Sequence, residues 1–303
     1  MYSILVKSFV YLFVIAIAYF LKNKGIFKFD DYEPLSKLTF YLTTPCLIMA
    51  GFREFVFDSS LFVALAFGAL VNIIIIGVVL FFTRNKSGET QATYIMTAPT
   101  FNIGSMVLPF LLGVYPGEYL PYLFMFDIGN AIMCTGLVYA IAQSRLHKDY
   151  KFNLKDFIKS LLSSIPFTCY LILFIISLTP FKLPAFFFDV TQMIGNASVI
   201  AVMFMLGLML KIKLEKEDLV DIIKIFSIRY GVIIILSILV LNFFPAPIMA
   251  RQIIVLCMLA PLTSLTAIFC SRLNLKPSVY SFVASMSMPI SIVLVMLVTS
   301  FWL

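Results

Sequence analysis

Two short stretches of this sequence combine a proline with small polar residues inside otherwise apolar segments. The first is MTAPTFNIG at residues 96–104, and the second is MLAPLTSLT at residues 258–266. Proline lacks an amide hydrogen and disturbs the carbonyl one turn earlier, so each stretch is predicted to interrupt a helix. A helix that restarts after such a break points its N-terminal amides into the gap, where they would favour a carboxylate or similar anion. The candidate binding residues are Asn102, Pro99, Gly104, Pro261, Thr263 and Ser264.

The two stretches match each other when the chain is shifted by 162 residues, which places Pro99 over Pro261 and Asn102 over Ser264. A single proline of this kind would be interpreted as a kink in a packed helix. Two in register favour a binding site, because interrupted helices at matching positions of two repeats are typical of transporters. Asn102 and Ser264 are the leading contacts, since neutral donors can hold a carboxylate without adding a buried charge.

The composition is that of a chain surrounded mostly by lipid. Of 303 residues, 62% are hydrophobic and 12% are charged, and the mean hydropathy is +1.05. Such values exclude a soluble domain. At roughly 20 residues per span, the sequence predicts an all-α membrane protein with ten transmembrane helices. We place these helices at residues 4–21, 38–52, 61–83, 91–114, 119–143, 157–178, 185–210, 219–244, 250–271 and 278–302.

Lysine and arginine residues concentrate in the connections that follow the odd-numbered spans. This bias places those connections in the cytoplasm and both termini outside. The net charge of +7 is therefore interpreted as a membrane-orienting bias and not as a nucleic-acid-binding surface. The predicted organisation is two inverted five-helix repeats, in which broken helices 4 and 9 cross. The repeats cover residues 1–145 and 157–303, and a cytoplasmic loop covers residues 146–156.

Two polar residues of the fifth span are candidates for ion coupling. Asp127 lies in the middle of the span, and Asn130 follows three residues later on the same helical face. Intramembrane carboxylates are usually functional, so Asp127 could bind a coupled proton or sodium ion. A structural role as a hydrogen-bond acceptor fits the sequence equally well. Arg229, in the eighth span, is interpreted as a long side chain that reaches the interface from the Lys224 end of its helix.

Several motifs together identify a family. Residues 102–132, NIGSMVLPFLLGVYPGEYLPYLFMFDIGNAI, contain an Asn-x-Gly, a Leu-Pro and a Phe-Asp-x-Gly-Asn motif. Two further segments, FYLTTPCLIMAGF at residues 40–52 and IGNASVIAVMFMLGLML at residues 194–210, are similar to the second and seventh helices of the same family. With these motifs the chain resembles, nearly from end to end, the auxin efflux carrier family of bacteria, which is related to the plant PIN exporters.

The resemblance implies a scaffold domain and a transport domain, an elevator-type movement that carries an organic anion, and a homodimer in the bacterial plasma membrane. It also implies that Asn102 lies beside the substrate carboxylate. The chain departs from the plant pattern in having Phe101 before this asparagine where the plant exporters have proline. In its second broken helix the chain has Pro261 and Ser264 in place of a Pro-Asn pair.

These observations together predict a secondary transporter, specifically an efflux carrier of small organic anions, surrounded by the lipid bilayer. We expect no enzymatic activity, no cofactor and no metal site. Two alternatives stay open. One is a sodium-coupled organic anion symporter of the bile acid symporter type, and the other is a transporter-like membrane sensor. Proteolysis is disfavoured, because Asp127 is the only acid well inside a predicted span and the sequence has no HExxH motif.

Overall fold

A computed structural model of the protein describes residues 2–56, 58–111, 115, 117–147, 149–210, 216–263 and 265–302. The regular structure of these residues is helical, and they form no β-strand. Short 3-10 or π-helical segments extend several of the helices.

The described residues form fifteen α-helices, in chain order α1 (Tyr2–Asn23), α2 (Tyr32–Leu38), α3 (Thr44–Gly51), α4 (Ser60–Thr83), α5 (Gly88–Thr97), α6 (Leu108–Leu111), α7 (Leu120–Ile132), α8 (Val138–Leu146), α9 (Leu154–Leu162), α10 (Ile165–Ser177), α11 (Ala185–Met209), α12 (Leu219–Phe243), α13 (Ile248–Met258), α14 (Leu265–Arg272) and α15 (Pro277–Trp302).

Five long helical segments are apolar enough to cross a membrane: Ser60–Thr83, Gly117–Leu146, Ala185–Met209, Leu219–Phe243 and Pro277–Trp302. A sixth span results if the bent pair α9 and α10 counts as one. The other predicted spans correspond to helices that are interrupted, or to apolar helices shorter than 18 residues, such as Phe9–Asn23 and Ile248–Met258. The chain is therefore an all-α membrane protein, as the sequence predicts.

The sixth predicted span is wrong at its beginning. The sequence predicts one helix over residues 157–178, whereas the structure divides this region into α9 and α10, which meet at an angle of 82°. Helix α10 begins after Ser164 and carries Pro166 in its first turn, where a proline fits a helix. Helix α9 begins at Leu154, directly after Asn153, whose side chain caps the first turn, and none of its residues is buried. Such a short amphipathic helix is typical of a membrane interface.

Both proline-containing stretches interrupt a helix, as predicted. Helix α5 ends at Thr97, and helical structure resumes at Ile103. Helix α13 ends at Met258, and α14 begins at Leu265. Neither Pro99 nor Pro261 can donate the hydrogen bond that would continue its helix. Backbone groups freed in this way must find partners inside the protein or in a wet cavity.

Helices α4 and α7 pack with their backbones in contact, because glycines face the partner helix at two levels. A methyl group built on Gly68 would lie 2.1 Å from the carbonyl oxygen of Phe126, and one on Gly129 would lie 2.0 Å from that of Leu65. Small residues permit this close approach between membrane helices. The approach places Asn72, one turn beyond Gly68, next to residues of α7 that face the helix breaks.

Candidate functional site

The two helix breaks touch each other. The backbone amide of Asn102, at the end of the first break, donates a hydrogen bond of 2.8 Å to the carbonyl oxygen of Pro261 in the second. In the second break, the amide of Leu262 donates to the Ser287 hydroxyl of α15 at 3.2 Å. We call this junction, formed by residues 98–102 and 259–263, the crossover. It lies among α4, α7, α12 and α15, whose side chains supply partners for its backbone.

Two asparagines hold the first half of the crossover in place. Thr100 has φ of 71°, a left-handed conformation that is unfavourable for a β-branched residue. Its amide donates to the Asn72 side chain of α4 at 2.6 Å. The Asn130 side chain of α7 accepts from the Phe101 amide at 3.1 Å and donates to the Phe101 carbonyl oxygen at 2.7 Å. The amides of Thr100 and Phe101 are therefore bonded to side chains of the protein and are not available to a bound anion.

Arg229 joins both halves of the crossover. Its guanidinium donates to the carbonyl oxygens of Ala98, Pro99 and Thr100 at 2.6, 3.2 and 3.0 Å, and to that of Ala260 at 2.8 Å. The residue is 0% exposed, so the interpretation that it reaches the membrane interface is wrong. Helix α12 points this side chain into the protein, where the carbonyls at the ends of α5 and α13 form an electronegative pocket that suits a cation.

The carboxylate of Asp127 lies beside the crossover and is held by neutral groups. It accepts hydrogen bonds from the Asn130 side chain at 3.1 Å and from the Tyr170 hydroxyl of α10 at 3.0 Å. Gly104 lies close to this pair, since a methyl group built on it would lie 3.4 Å from the Asp127 carboxylate and 3.4 Å from the Tyr170 hydroxyl. Within the described part of the chain, no lysine, arginine or histidine forms an ion pair with Asp127. Among the described residues, this buried acid is therefore held by hydrogen bonds and not by an ion pair.

A cavity of about 80 Å³ opens at this point. Residues of both breaks and of the neighbouring helices line it, among them Asn102, Gly104, Asp127, Asn130 and Thr263. The side chains of Asn102 and Thr263 form no hydrogen bond with any other described residue. Two neutral polar groups, one from each break, are thus free to bind a ligand. The volume can hold a few water molecules and is well below the roughly 300–1,000 Å³ of pockets for drug-sized ligands.

The structure brings five of the eight predicted site residues together around this cavity: Asn102, Gly104, Thr263, Asp127 and Asn130. Pro99 and Pro261 lie in the breaks, where their carbonyl oxygens accept hydrogen bonds from Arg229 and Asn102. Ser264 lies outside the described residues.

Sequence reasoning missed three residues that shape the site: Asn72, Arg229 and Tyr170. The intramembrane charge of Arg229 was a usable signal. For Tyr170 we find no signal in the sequence.

Two discontinuous helices that meet around a polar cavity, in an all-helical chain with apolar spans, define a class of membrane transport proteins. Residues 4–303 match the family described as membrane transport protein. The chain therefore belongs to the auxin efflux carrier family, which confirms the resemblance drawn from its motifs, and it is a membrane transporter. Comparison with curated proteins gives no match.

Proposed function

We propose that the protein is a secondary transporter that exports small organic anions, with the crossover cavity as its substrate site. The observation that carries this proposal is the pair of unpartnered polar side chains, Asn102 and Thr263, which reach one cavity from the two helix breaks. A carboxylate placed there would accept hydrogen bonds from both. Ile103, in the first turn of the segment that restarts after the break, also lines this cavity, and its amide has no partner within its own helix.

The size and charge of the surroundings support a small carboxylate as the substrate. A cavity of about 80 Å³ suits a compact mono- or dicarboxylate better than a bulky indole acid. The guanidinium of Arg229 adds a fixed positive charge within the crossover. The helical segments that restart at Ile103 and Leu265 add the positive ends of their dipoles.

Asp127 is the proposed site of ion coupling, with Asn130 as its partner. A buried carboxylate that is bonded only to neutral groups can take up a proton, or it can contribute an oxygen ligand to a sodium ion. Asn130 connects this carboxylate to the backbone of Phe101. A change in the charge of Asp127 would therefore act on the crossover directly.

The proposed organisation is two inverted five-helix repeats, at residues 1–145 and 157–303, joined by a cytoplasmic loop at 146–156. Each repeat contributes one broken helix, the fourth and the ninth of ten. We propose that both termini lie outside the plasma membrane, that the protein forms a homodimer, and that an elevator-type movement provides alternating access. In support, α7 and α12 each pack against both α4 and α13, while α11 packs against α1 and α3.

The test is a flux screen in proteoliposomes with labelled mono- and dicarboxylates, with and without proton and sodium gradients. We expect Asn102→Ala to lose a hydrogen bond to a charged group, about 1.5–3 kcal/mol, and so to weaken the apparent substrate affinity at least about tenfold. Asn242→Ala is the matched control, because Asn242 is exposed and its side chain bonds only within its own helix, to the Ile238 carbonyl oxygen. Equal transport by the two variants would exclude the cavity as the substrate site.

The same assay separates the coupling ions and the main alternative. With proton coupling, a pH gradient drives flux in the wild type and no longer does so in Asp127→Asn. A strict sodium requirement would instead favour the symporter of the bile acid type. A protein that binds carboxylates in the cavity but moves none would be the transporter-like sensor.

A further inference from the structure

A second, larger pocket lies on the outside of the helix bundle, between α4, α5 and α12. It has a volume of about 670 Å³ and shares no lining residue with the crossover cavity. Its walls are mainly aliphatic and aromatic side chains, including Phe82 of α4 and Ile235 of α12. These two side chains are 66% and 62% exposed. Since both belong to membrane-spanning helices, the pocket is open to the lipid and not to the protein interior.

One end of this pocket carries two positive charges. Lys86 follows the C-terminal end of α4, and Lys224 lies in the second turn of α12; both lysines are exposed and line the pocket. Neither forms an ion pair with another described residue. The acid Asp221 lies beside the pocket but does not line it; its carboxylate accepts a hydrogen bond of 2.8 Å from the hydroxyl of Tyr94, which does line the pocket, and forms no ion pair with either lysine.

The two features together match one class of ligand. An apolar trough alone would accept any acyl chain, and two lysines alone would attract any soluble anion. A pocket with lysines at one end and apolar walls along its length suits a molecule with an anionic head and a hydrocarbon tail. Basic pockets between membrane helices are known to bind acidic lipid head groups. Lys86 follows the third predicted span and Lys224 lies near the beginning of the eighth, so the charge bias of the sequence predicts the same, basic side of the membrane for both.

We propose that this pocket, the lysine pocket, binds one acidic glycerophospholipid from the adjoining leaflet. The phosphate lies between Lys86 and Lys224, and an acyl chain lies along Phe82 and Ile235. The proposal does not depend on the transport function of the crossover, since the two sites have no residue in common.

Gly231 of α12 provides a way to fill the pocket without disturbing the fold. It lines the lysine pocket, and a methyl group built on it would meet no atom within 4 Å. Gly231→Leu therefore places a side chain where the acyl chain would lie. Gly77→Leu is the matched control, because Gly77 of α4 is equally open but does not line the pocket.

The experiment measures lipid retention by native mass spectrometry of the purified full-length protein, titrated with phosphatidylglycerol or phosphatidylcholine. For the wild type we expect one retained phosphatidylglycerol and weaker retention of phosphatidylcholine. Replacing both lysines, Lys86→Gln with Lys224→Gln, should weaken phosphatidylglycerol binding roughly thirtyfold, from the attraction of two basic residues. Gly231→Leu should abolish retention of the tightly bound lipid, whereas Gly77→Leu should not.

Three results would overturn the proposal. The first is that the double lysine variant retains phosphatidylglycerol as well as a control that replaces Lys24 and Lys37, two exposed lysines outside the pocket. The second is equal retention of phosphatidylcholine and phosphatidylglycerol by the wild type. The third is displacement of the lipid by soluble glycerol phosphate at equal concentration, which would show that the anion binds without the apolar walls.

Discussion

Replacing Arg229 by methionine tests whether the guanidinium holds the crossover together. The change removes four hydrogen bonds and leaves the carbonyl oxygens of Ala98, Pro99, Thr100 and Ala260 without their donor. Each buried polar group that loses its partner costs about 1–3 kcal/mol. Even at the lower limit, four such groups give about 4 kcal/mol, which is a large part of the stability of an ordinary domain. Methionine fills a similar volume, so loss of packing adds little.

The assay is thermal unfolding of the purified protein in detergent, combined with carboxylate flux in proteoliposomes. At about 2 °C or more per kcal/mol, we expect Arg229→Met to unfold at least about 8 °C below the wild type and to transport no substrate. Arg229→Lys keeps the positive charge, but the single ammonium group of lysine cannot donate to the carbonyls of both breaks as the planar guanidinium does. We therefore expect it to unfold at an intermediate temperature.

Arg251→Met is the control for this prediction. Arg251 also donates to three carbonyl oxygens, those of Leu241, Asn242 and Ala246. It lies at the beginning of α13 in a partly exposed position, where water can replace the lost donors, so we expect a loss of about 1 kcal/mol. If Arg229→Met unfolds at the same temperature as Arg251→Met, the proposed role of Arg229 is refuted.

Two further predictions concern packing and pH. Gly68→Ala should destabilise the protein by about 1–3 kcal/mol, because the added methyl group would meet the α7 backbone at 2.1 Å. Gly77→Ala, which meets nothing within 4 Å, should instead stabilise it by about 0.5–1 kcal/mol; equal unfolding temperatures for the two variants would contradict the packing described. Burial tends to raise the pKa of Asp218, but the hydrogen bonds from Lys276 and Ser278 and the charge of Lys276 lower it below its ordinary value. Because the pKa in the folded state is below that in the unfolded state, this stabilisation is complete above about pH 4 and is lost as the pH falls through the folded pKa. The unfolding temperature should therefore fall less steeply with acid in Asp218→Asn than in the wild type, and identical pH profiles would exclude this contribution.

The helices and their breaks could be predicted from the sequence because both depend on local features. Long apolar runs define the spans, and Pro99 and Pro261 each remove a donor from the helix that contains them. The bend between α9 and α10 also has a local signal, in Pro166, which follows two serines and an isoleucine. Hydropathy alone predicts one continuous helix there, because the residues on both sides are apolar.

The partners of the crossover could not be predicted in the same way, because they depend on how helices are rotated about their axes. From sequence alone, Arg229 lies close enough to a helix end to reach the interface, and only the rotation of α12 shows that it points inward. The same holds for Tyr170, whose hydroxyl reaches Asp127 from a helix 43 residues away in the chain. Hydropathy decides whether a segment is in the membrane, but it carries little information about which face meets which neighbour.

The charges at the crossover suggest how anion and proton movement could be linked. The carbonyl ends of α5 and α13 would repel an anion, but Arg229 bonds to carbonyls at both ends and offsets their negative charge. Asp127 lines the same cavity as Asn102, so its ionised carboxylate would repel a carboxylate bound there. Protonation of Asp127 would remove this repulsion. If the cavity is the substrate site, as proposed, the anion is therefore expected to bind most strongly when Asp127 also holds a proton.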